Sequence, residues 1–370
     1  MKDFIRPIRN FLTTLAHSYV IKGWLLKGRL SNTAEEISIL YYGYEGVKND
    51  LTRRLFNNEC EVKPVTFELI HRFKERIREK HKVCDLLMLQ GRAIPQGILN
   101  LSANFYLPLF LEMGVNLLGD DGPLESRKSL RGARSKIAQY DFNYVTSKES
   151  CDFDKFYFDM YLPNCKNRHK EAAWIHDYHD LKKKAHEILF LHYQGEAVAG
   201  AVLEWNFSTR SAYYWHCGMK DGSESLMKMG ARLAIDYYVM LRSREVGMHS
   251  LNLGGVRPFL KDGVLEYKSR IGARFGSHVL DSGLLGLWVF NEKAIQAFLR
   301  EQPFICYENS GVYRAIFLND RSQDDMQKEE IRYRKKGLAG IRIYPQFENK
   351  GVQNATPADA FVLNSSALGS

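Results

Sequence analysis

With 370 residues, 45% of them hydrophobic and 41 of them Tyr or Phe (20 and 21), the chain is no disordered polymer and has core material for two domains or one large α/β unit. Lys and Arg outnumber Asp and Glu by 52 to 43, a net charge of +9 that suits phosphates, tRNA or an anionic membrane face without selecting among them. Six scattered cysteines with no CxxC pair exclude a disulfide framework and read as reduced thiols of a cytoplasmic protein.

Residues 4–20 place Phe4, Ile8, Phe11, Leu12, Leu15 and Tyr19 at helical spacing among basic residues. That stripe is expected to pack on its own protein, with contact at the inner membrane face as the other reading. Lys2, Arg6, Arg9 and His17 interrupt any signal-peptide core, and no segment reaches the ~18 uncharged apolar residues of a membrane span. Residues 37–42 read as a strand and residues 66–82 as a helix with Phe67, Ile70, Phe73 and Ile77 on one face. Residues 83–89 read as a buried strand, and residues 99–118 mix apolar runs with turns. The basic stretch Arg127, Lys128, Arg131, Arg134 and Lys136 is expected as a solvated helix face, and residues 154–162 as a helix stopped by Pro163.

From residue 185 the pattern sharpens. Residues 187–193 and 197–205 form a hairpin about the turn Gln194-Gly195-Glu196, and residues 211–217 a third strand. Residues 226–244 read as one long helix with Leu226, Met229, Leu233, Tyr237 and Leu241 inward, and residues 249–253 as a strand ending in Gly254-Gly255. A strand at 284–290, a helix capped by Asn291, a charged segment at 320–336, a strand at 340–344 and a flexible tail complete the chain. Hairpin, strand, helix, strand is the order of a mixed α/β sheet with a crossover helix.

Four features stand in fixed order: the hairpin 195–201, Asp221-Gly222-Ser223, Leu251-Asn252-Leu253-Gly254-Gly255, and Tyr267-Lys268-Ser269-Arg270-Ile271-Gly272-Ala273. In these the chain resembles the FemAB and BioF-like acyltransferases of the GNAT superfamily, over about residues 126–290. The resemblance implies tandem GNAT-like lobes in a mixed α/β fold, the C-terminal lobe being the better match. Boundaries follow: a degenerate lobe over 1–125, an acyltransferase lobe over 126–345 and a tail over 346–370. It also implies a bacterial enzyme in which Lys268, paired with Tyr267, stabilises the developing oxyanion.

Around that lysine, Glu204 and His216 are candidates for the base, with Asp236 and His249 behind them. Gly222, Ser223, Lys228, Gly230, Arg232, Asn252, Gly254, Gly255 and Arg270 are candidates for holding the donor, and Arg274 for a phosphate contact. The expected donor is acyl-CoA or an acyl carrier protein, as co-substrate and not as a tightly bound cofactor. Aminoacyl-tRNA is the alternative donor, and the expected acceptor is an amine on a small molecule, glycan or peptide. A non-catalytic binding module of the same fold is the reading outside enzymes. Cys165, His169, His176 and His179 have ligand chemistry but match no zinc spacing, so no metal is expected. GxSxG, GxxxxGK[ST] and GxGxxG motifs are absent, which sets aside three other chemistries.

Overall fold

The computed structural model describes residues 20–33, 35–69, 80, 82–91, 103–118, 121–169, 175–279, 283–308, 313–318 and 322–344. The chain divides into two compact units. The first takes the chain to Leu111, Arg257–Leu265 and everything from Ser277; the second takes Glu112–Val256 and Glu266–Gly276. This division differs from a single boundary at 125/126, because the chain returns to the first unit twice. The amphipathic stripe at 4–20 and the tail at 346–370 lie outside the described residues.

In the first unit, β1 (Val20–Arg29), β2 (Glu36–Tyr42), β3 (Cys60–Leu69), β4 (Leu86–Gly91) and β5 (Phe105–Pro108) share a sheet with β13 (Leu284–Val289), in the order β3-β1-β2-β4-β13-β5. Residues 66–69, expected as the start of a helix, instead close β3. Their pairing with β1 reaches Val20↔Leu69 and decides the matter over the helical spacing of Phe67 with later residues. Helix α1 (Glu45–Phe56) buries Leu51, Leu55 and Phe56 in a core with Leu26, Ile37 and Ile39. Helix α9 (Glu292–Glu301) adds Ile295 and Phe298, and its first turn is fixed as expected, the Asn291 side chain accepting from Lys293 N–H. Each such buried side chain contributes about 1.5–3 kcal/mol through area removed from water. A second sheet of β14 (Phe304–Tyr307), β15 (Tyr313–Leu318) and β16 (Gly340–Tyr344), followed within it by α10 (Gln323–Tyr333) in sequence between its last two strands, completes the unit.

The second unit is built on one sheet, β12-β6-β11-β10-β9-β8-β7. Its strands are β6 (Leu111–Asn116), β7 (Asn143–Ser147), β8 (Glu187–Tyr193), β9 (Glu196–Asn206), β10 (Ser211–Met219), β11 (Ser250–Val256) and β12 (Arg274–Val279). The β8–β9 hairpin turns on Gln194 and Gly195, both at positive φ (52° and 82°), as a two-residue turn of matching twist requires. Helix α2 (Arg131–Tyr140) follows a buried Arg127, whose guanidinium donates to the carbonyls of Gly122, Asn116 and Leu117. That residue therefore organises a loop, against the solvated face its spacing suggests.

Pro163 does not stop its helix. The run α3 (Ser150–Lys155), a π-helical stretch Phe156–Tyr161 and α4 (Leu162–His169) is continuous, the wider π turn lying just ahead of the residue that lacks an N–H. Helix α5 (Tyr178–Lys184) is capped by Asp177, whose carboxylate accepts from His179 and Asp180 N–H. The expected helix 226–244 is two helices, α6 (Glu224–Met229) and α7 (Ala231–Glu245), broken at Gly230 with φ 92°. A Cβ there would stand 2.7 Å from Lys136 Cγ, so both space and backbone demand glycine. Helix α8 (Gly263–Arg270) carries the Tyr267-Lys268 pair.

Candidate active site

Strands β10 and β11 run parallel, and their pairing ends almost as soon as it begins: Ser211↔Ser250, Ala212↔Leu251 and Tyr213↔Asn252. Beyond that, β10 continues on β9 to Met219 while β11 continues to Val256. Two local features drive the strands apart. On β10 the register to β9 slips between Tyr214↔Leu203 and His216↔Val202, a bulge at Trp215 that adds twist. On β11 the Asn252 side chain accepts from Gly254 N–H at 2.7 Å, and Gly254 takes φ 78° with open space where a Cβ would be. A slot edged by backbone polar groups results, of the kind that can grip an extended ligand.

Lys268 belongs to this slot. It is only 8% exposed, and its ammonium donates to the carbonyls of Gly254 and Gly255 at 3.0 and 3.1 Å. Helix α8 ends immediately after it, Gly272 at φ 92° letting Ala273 N–H return to Lys268 C=O. A cation is thus fixed on the strand that leaves its neighbour. Placing a charge there costs desolvation free energy, which the two carbonyls offset in part.

Asp236 of α7 joins β10 to α8. The carboxylate is 2% exposed and accepts from Tyr214 OH of β10 at 2.8 Å, from Tyr267 OH of α8 at 2.5 Å and from Arg232 Nε at 3.0 Å. Arg232 also donates to Cys217 Sγ at 2.7 Å and lies 5.6 Å from the centroids of both tyrosine rings. Burial first, and the neighbouring carboxylate second, push both phenols well above their ordinary range, so they stay protonated donors. The oxygens of Asp236 are taken up by these three donors. Arg232, a candidate for holding the donor, is the partner of that carboxylate.

The other face of β10 is aromatic. Tyr213 and Trp215 stack at 6.4 Å, Trp215 meets His176 at 5.9 Å, and His176 meets His216 at 4.6 Å, where His216 also packs on Tyr161 at 4.6 Å. His216 Nε2 and His176 Nδ1 share a hydrogen bond. Burial, then the neighbouring imidazole, lowers His216 to about 3, and burial followed by Lys184 lowers His176. Both imidazoles are neutral at physiological pH. The π-helical stretch holds this arrangement: Tyr157 OH donates to His176 C=O, and Tyr161 OH accepts from His176 N–H. Glu204 of β9 accepts from the Trp215 indole at 2.6 Å.

The sequence-derived residues therefore fall into groups. Lys268, Asn252, Gly254 and Gly255 converge on the slot; Glu204 and His216 lie along the aromatic face; Tyr267 and Arg232 are bound to Asp236. Gly222, at φ 64° with no room for a Cβ beside Asn167 and Pro163, shapes a turn, and Ser223 caps the six-residue α6. Lys228 is exposed, Arg270 pairs with Glu266 at an exposed helix end, and Arg274 starts β12. His249 contacts Arg210 just before β11, at the paired end of the strands and away from their parting. His176 meets His216; among the described residues, no three His, Cys, Asp or Glu side chains form a metal-ligand cluster. Among the described residues no helix is long and apolar enough to cross a membrane.

Sequence reasoning did not find Tyr213 or Trp215 as site residues, and weighed His176 only as a metal ligand. The available signal was the run Tyr213-Tyr214-Trp215-His216, too aromatic for a strand with one plain solvent face, but only the bulge says which rings share a side.

No family model matches the chain, and no curated protein does. Solved structures similar to it include L-PGS from Bacillus licheniformis, at 13% identity and a TM-score of 0.36, over 74% of this chain and 87% of that one. FemX is similar at 12% identity and a TM-score of 0.37, over 75% and 86%. A GCN5-related N-acetyltransferase from Sphaerobacter thermophilus is similar at 12% and 0.29, over 69% and 73%. At such values the reading of the site rests on its own geometry.

Proposed function

We propose that the second unit is an N-acyltransferase, moving an acyl group from acyl-CoA or an acyl carrier protein to an amine by direct attack. The observation that supports this most is the parting of β10 from β11 with the Lys268 ammonium fixed at the carbonyls of Gly254 and Gly255. An extended thioester lies along the unpaired strand edges, its carbonyl beside the cation. The amine nitrogen attacks that carbon, negative charge grows on the oxygen opposite Lys268, the C–S bond breaks, and the thiolate leaves with the amine's proton. A fixed cation aimed at such an oxygen is worth about 3–4 kcal/mol of barrier. No metal or redox group is needed for these steps, and the proposed setting is the cytoplasm.

Transfer of an aminoacyl group from an ester, as on tRNA, is a second reading. The same slot and the same cation serve an ester carbonyl equally.

Full-length protein incubated with acetyl-CoA, longer acyl-CoAs or aminoacyl-tRNA, each with a panel of amines, will separate the donors when amide products are followed by mass spectrometry. Product from a thioester, lost in Lys268→Met, is the expected result. No product from any donor, or undiminished product in that variant, overturns the reading.

A further inference from the structure

The two partners in the lysine contact stand 14 residues apart in the chain, Gly254 near the end of β11 and Lys268 near the end of α8. The stretch Arg257–Leu265 between them belongs to the first unit. Its middle is held by backbone and core: Phe259 and Leu260 are buried, Leu260 N–H donates to Pro303 C=O, and Ile305 N–H donates to Pro258 C=O. Its ends are held by charges. Arg257, the first residue after β11, has Nε 3.2 Å from Asp50 Oδ2 and its guanidinium 4.1 Å from the centroid of the Phe110 ring. Asp262, just before α8, accepts from Val264 and Leu265 N–H on Oδ1 at 2.9 and 3.0 Å, and its Oδ2 lies 2.7 Å from Arg54 Nη2. Arg54 Nε in turn donates to both oxygens of Asp50, at 3.1 and 3.0 Å. Arg257, Asp50, Arg54 and Asp262 thus form an unbroken run of ion pairs from one end of the stretch to the other, by way of α1.

We propose that Arg54 and Asp262 are positioning residues for Lys268: their ion pair fixes the start of α8, and through that helix the ammonium against the carbonyls of Gly254 and Gly255. The proposal rests on the transferase reading for its consequence in turnover, and on geometry alone for the placement of the ammonium. Both carboxylates of the run are buried. Desolvation consumes most of the Coulomb gain of such pairs, so their net contribution to stability is small. What they add is direction, because a guanidinium fork meets a carboxylate in few arrangements whereas apolar contacts tolerate sliding. Helix α8 has only 8 residues, a length of about 12 Å, so a shift or rotation at Asp262 is carried along it to Lys268. Tyr267 OH, bound to Asp236, holds the other end of the same helix.

Placement can be read without turnover. Full-length protein is treated briefly with limiting acetic anhydride, and the rate of acetylation at Lys268 is measured by peptide mass spectrometry against that at the exposed Lys228 of the same molecule. Asp262→Asn keeps the capping acceptor and loses the charge, while Arg54→Met keeps most of the stem and loses the fork. At unchanged far-UV circular dichroism, each is expected to raise the relative rate at Lys268 about three- to tenfold, and the double variant no further than either alone, because both remove the same link. Arg54→Lys, which keeps a cation, gives the same reading at smaller size should Arg54→Met not fold. With a donor that yields amide, Asp262→Asn should lower kcat about tenfold and leave KM for that donor within about twofold, the mark of a misplaced group and not of lost binding. Rates at Lys268 unchanged in the single variants, or effects that add in the double, overturn the positioning role. Rates that change as expected in a protein that forms no amide from any donor would leave the placement standing and sink the transferase reading alone.

Discussion

The parallel pairs β2–β4 of the first unit and β10–β11 of the second end differently. In the first unit β2 and β4 pair from Ile39↔Leu86 to Tyr42↔Leu89, and the end is sealed. Gln90 is buried there, its side-chain oxygen accepting from Tyr41 OH and from Tyr44 N–H, and Gly43 has no room for a Cβ against either side chain. In the second unit β10 and β11 pair over three positions and part around a buried ammonium. The lesson is that a parallel pair becomes a site only where something holds its strands open. A bulge, a glycine at positive φ and an Asp236 clamp do so in one unit, while an amide plug closes the other.

The largest expected effect on this contrast is at Lys268. Lys268→Met should lower kcat by about a hundred- to a thousandfold with unchanged far-UV circular dichroism, whereas Gln90→Leu in the sealed pair should leave kcat within about twofold. Asp236→Ala removes the carboxylate joining Tyr214 of β10 to Tyr267 of α8 and strands a guanidinium between two rings; a loss of about 3–5 kcal/mol in urea unfolding is expected. Asp236→Asn, which keeps an acceptor, should cost less and separate the clamp from its charge. Next comes Gln90→Ala, which leaves Tyr41 OH and Tyr44 N–H without their shared acceptor and should cost about 1–3 kcal/mol. Gly254→Ala forces a side chain to φ 78° in open space, costing about 1–2 kcal/mol while reshaping only the slot, so KM for the donor should rise more than stability falls.

The smallest effect is a pH dependence. His216 has its folded value lowered to about 3 from an ordinary value near ~6.5, so the unfolded chain binds a proton that the native state does not. Stability from this residue is fully present above the upper value and declines as pH falls toward the lower one. The Tm difference between the wild type and His216→Asn should therefore narrow from pH 7 to pH 4. A gap that stays constant would show that the imidazole is protonated alike in both states.

Local pattern carried much of this fold. The β8–β9 hairpin, the β10 strand, the Asn291 cap and the strand at Gly340–Tyr344 follow from alternation, turn residues and capping chemistry acting over a few positions. The Asn252-Leu-Gly-Gly turn was legible because glycine at positive φ and an Asx contact are local events, whereas Lys268 was singled out through the family resemblance. Misreadings arose where a distant partner outweighed the local pattern. Residues 66–69 joined β1, Gly230 broke a helix because Lys136 passes close to it, and Pro163 was accommodated by a π turn upstream.

What the sequence determined alone is a mixed α/β chain with a glycine-marked strand end and a lysine after it, because propensity, turn chemistry and amphipathic spacing are short-range. Only the tertiary structure decided that Asp236 ties Tyr214 to Tyr267, that His176 reaches His216, and that β13 joins the first unit's sheet. These contacts connect residues tens to nearly two hundred positions apart. No periodicity encodes such pairings; they follow from which strands find each other once the cores have closed.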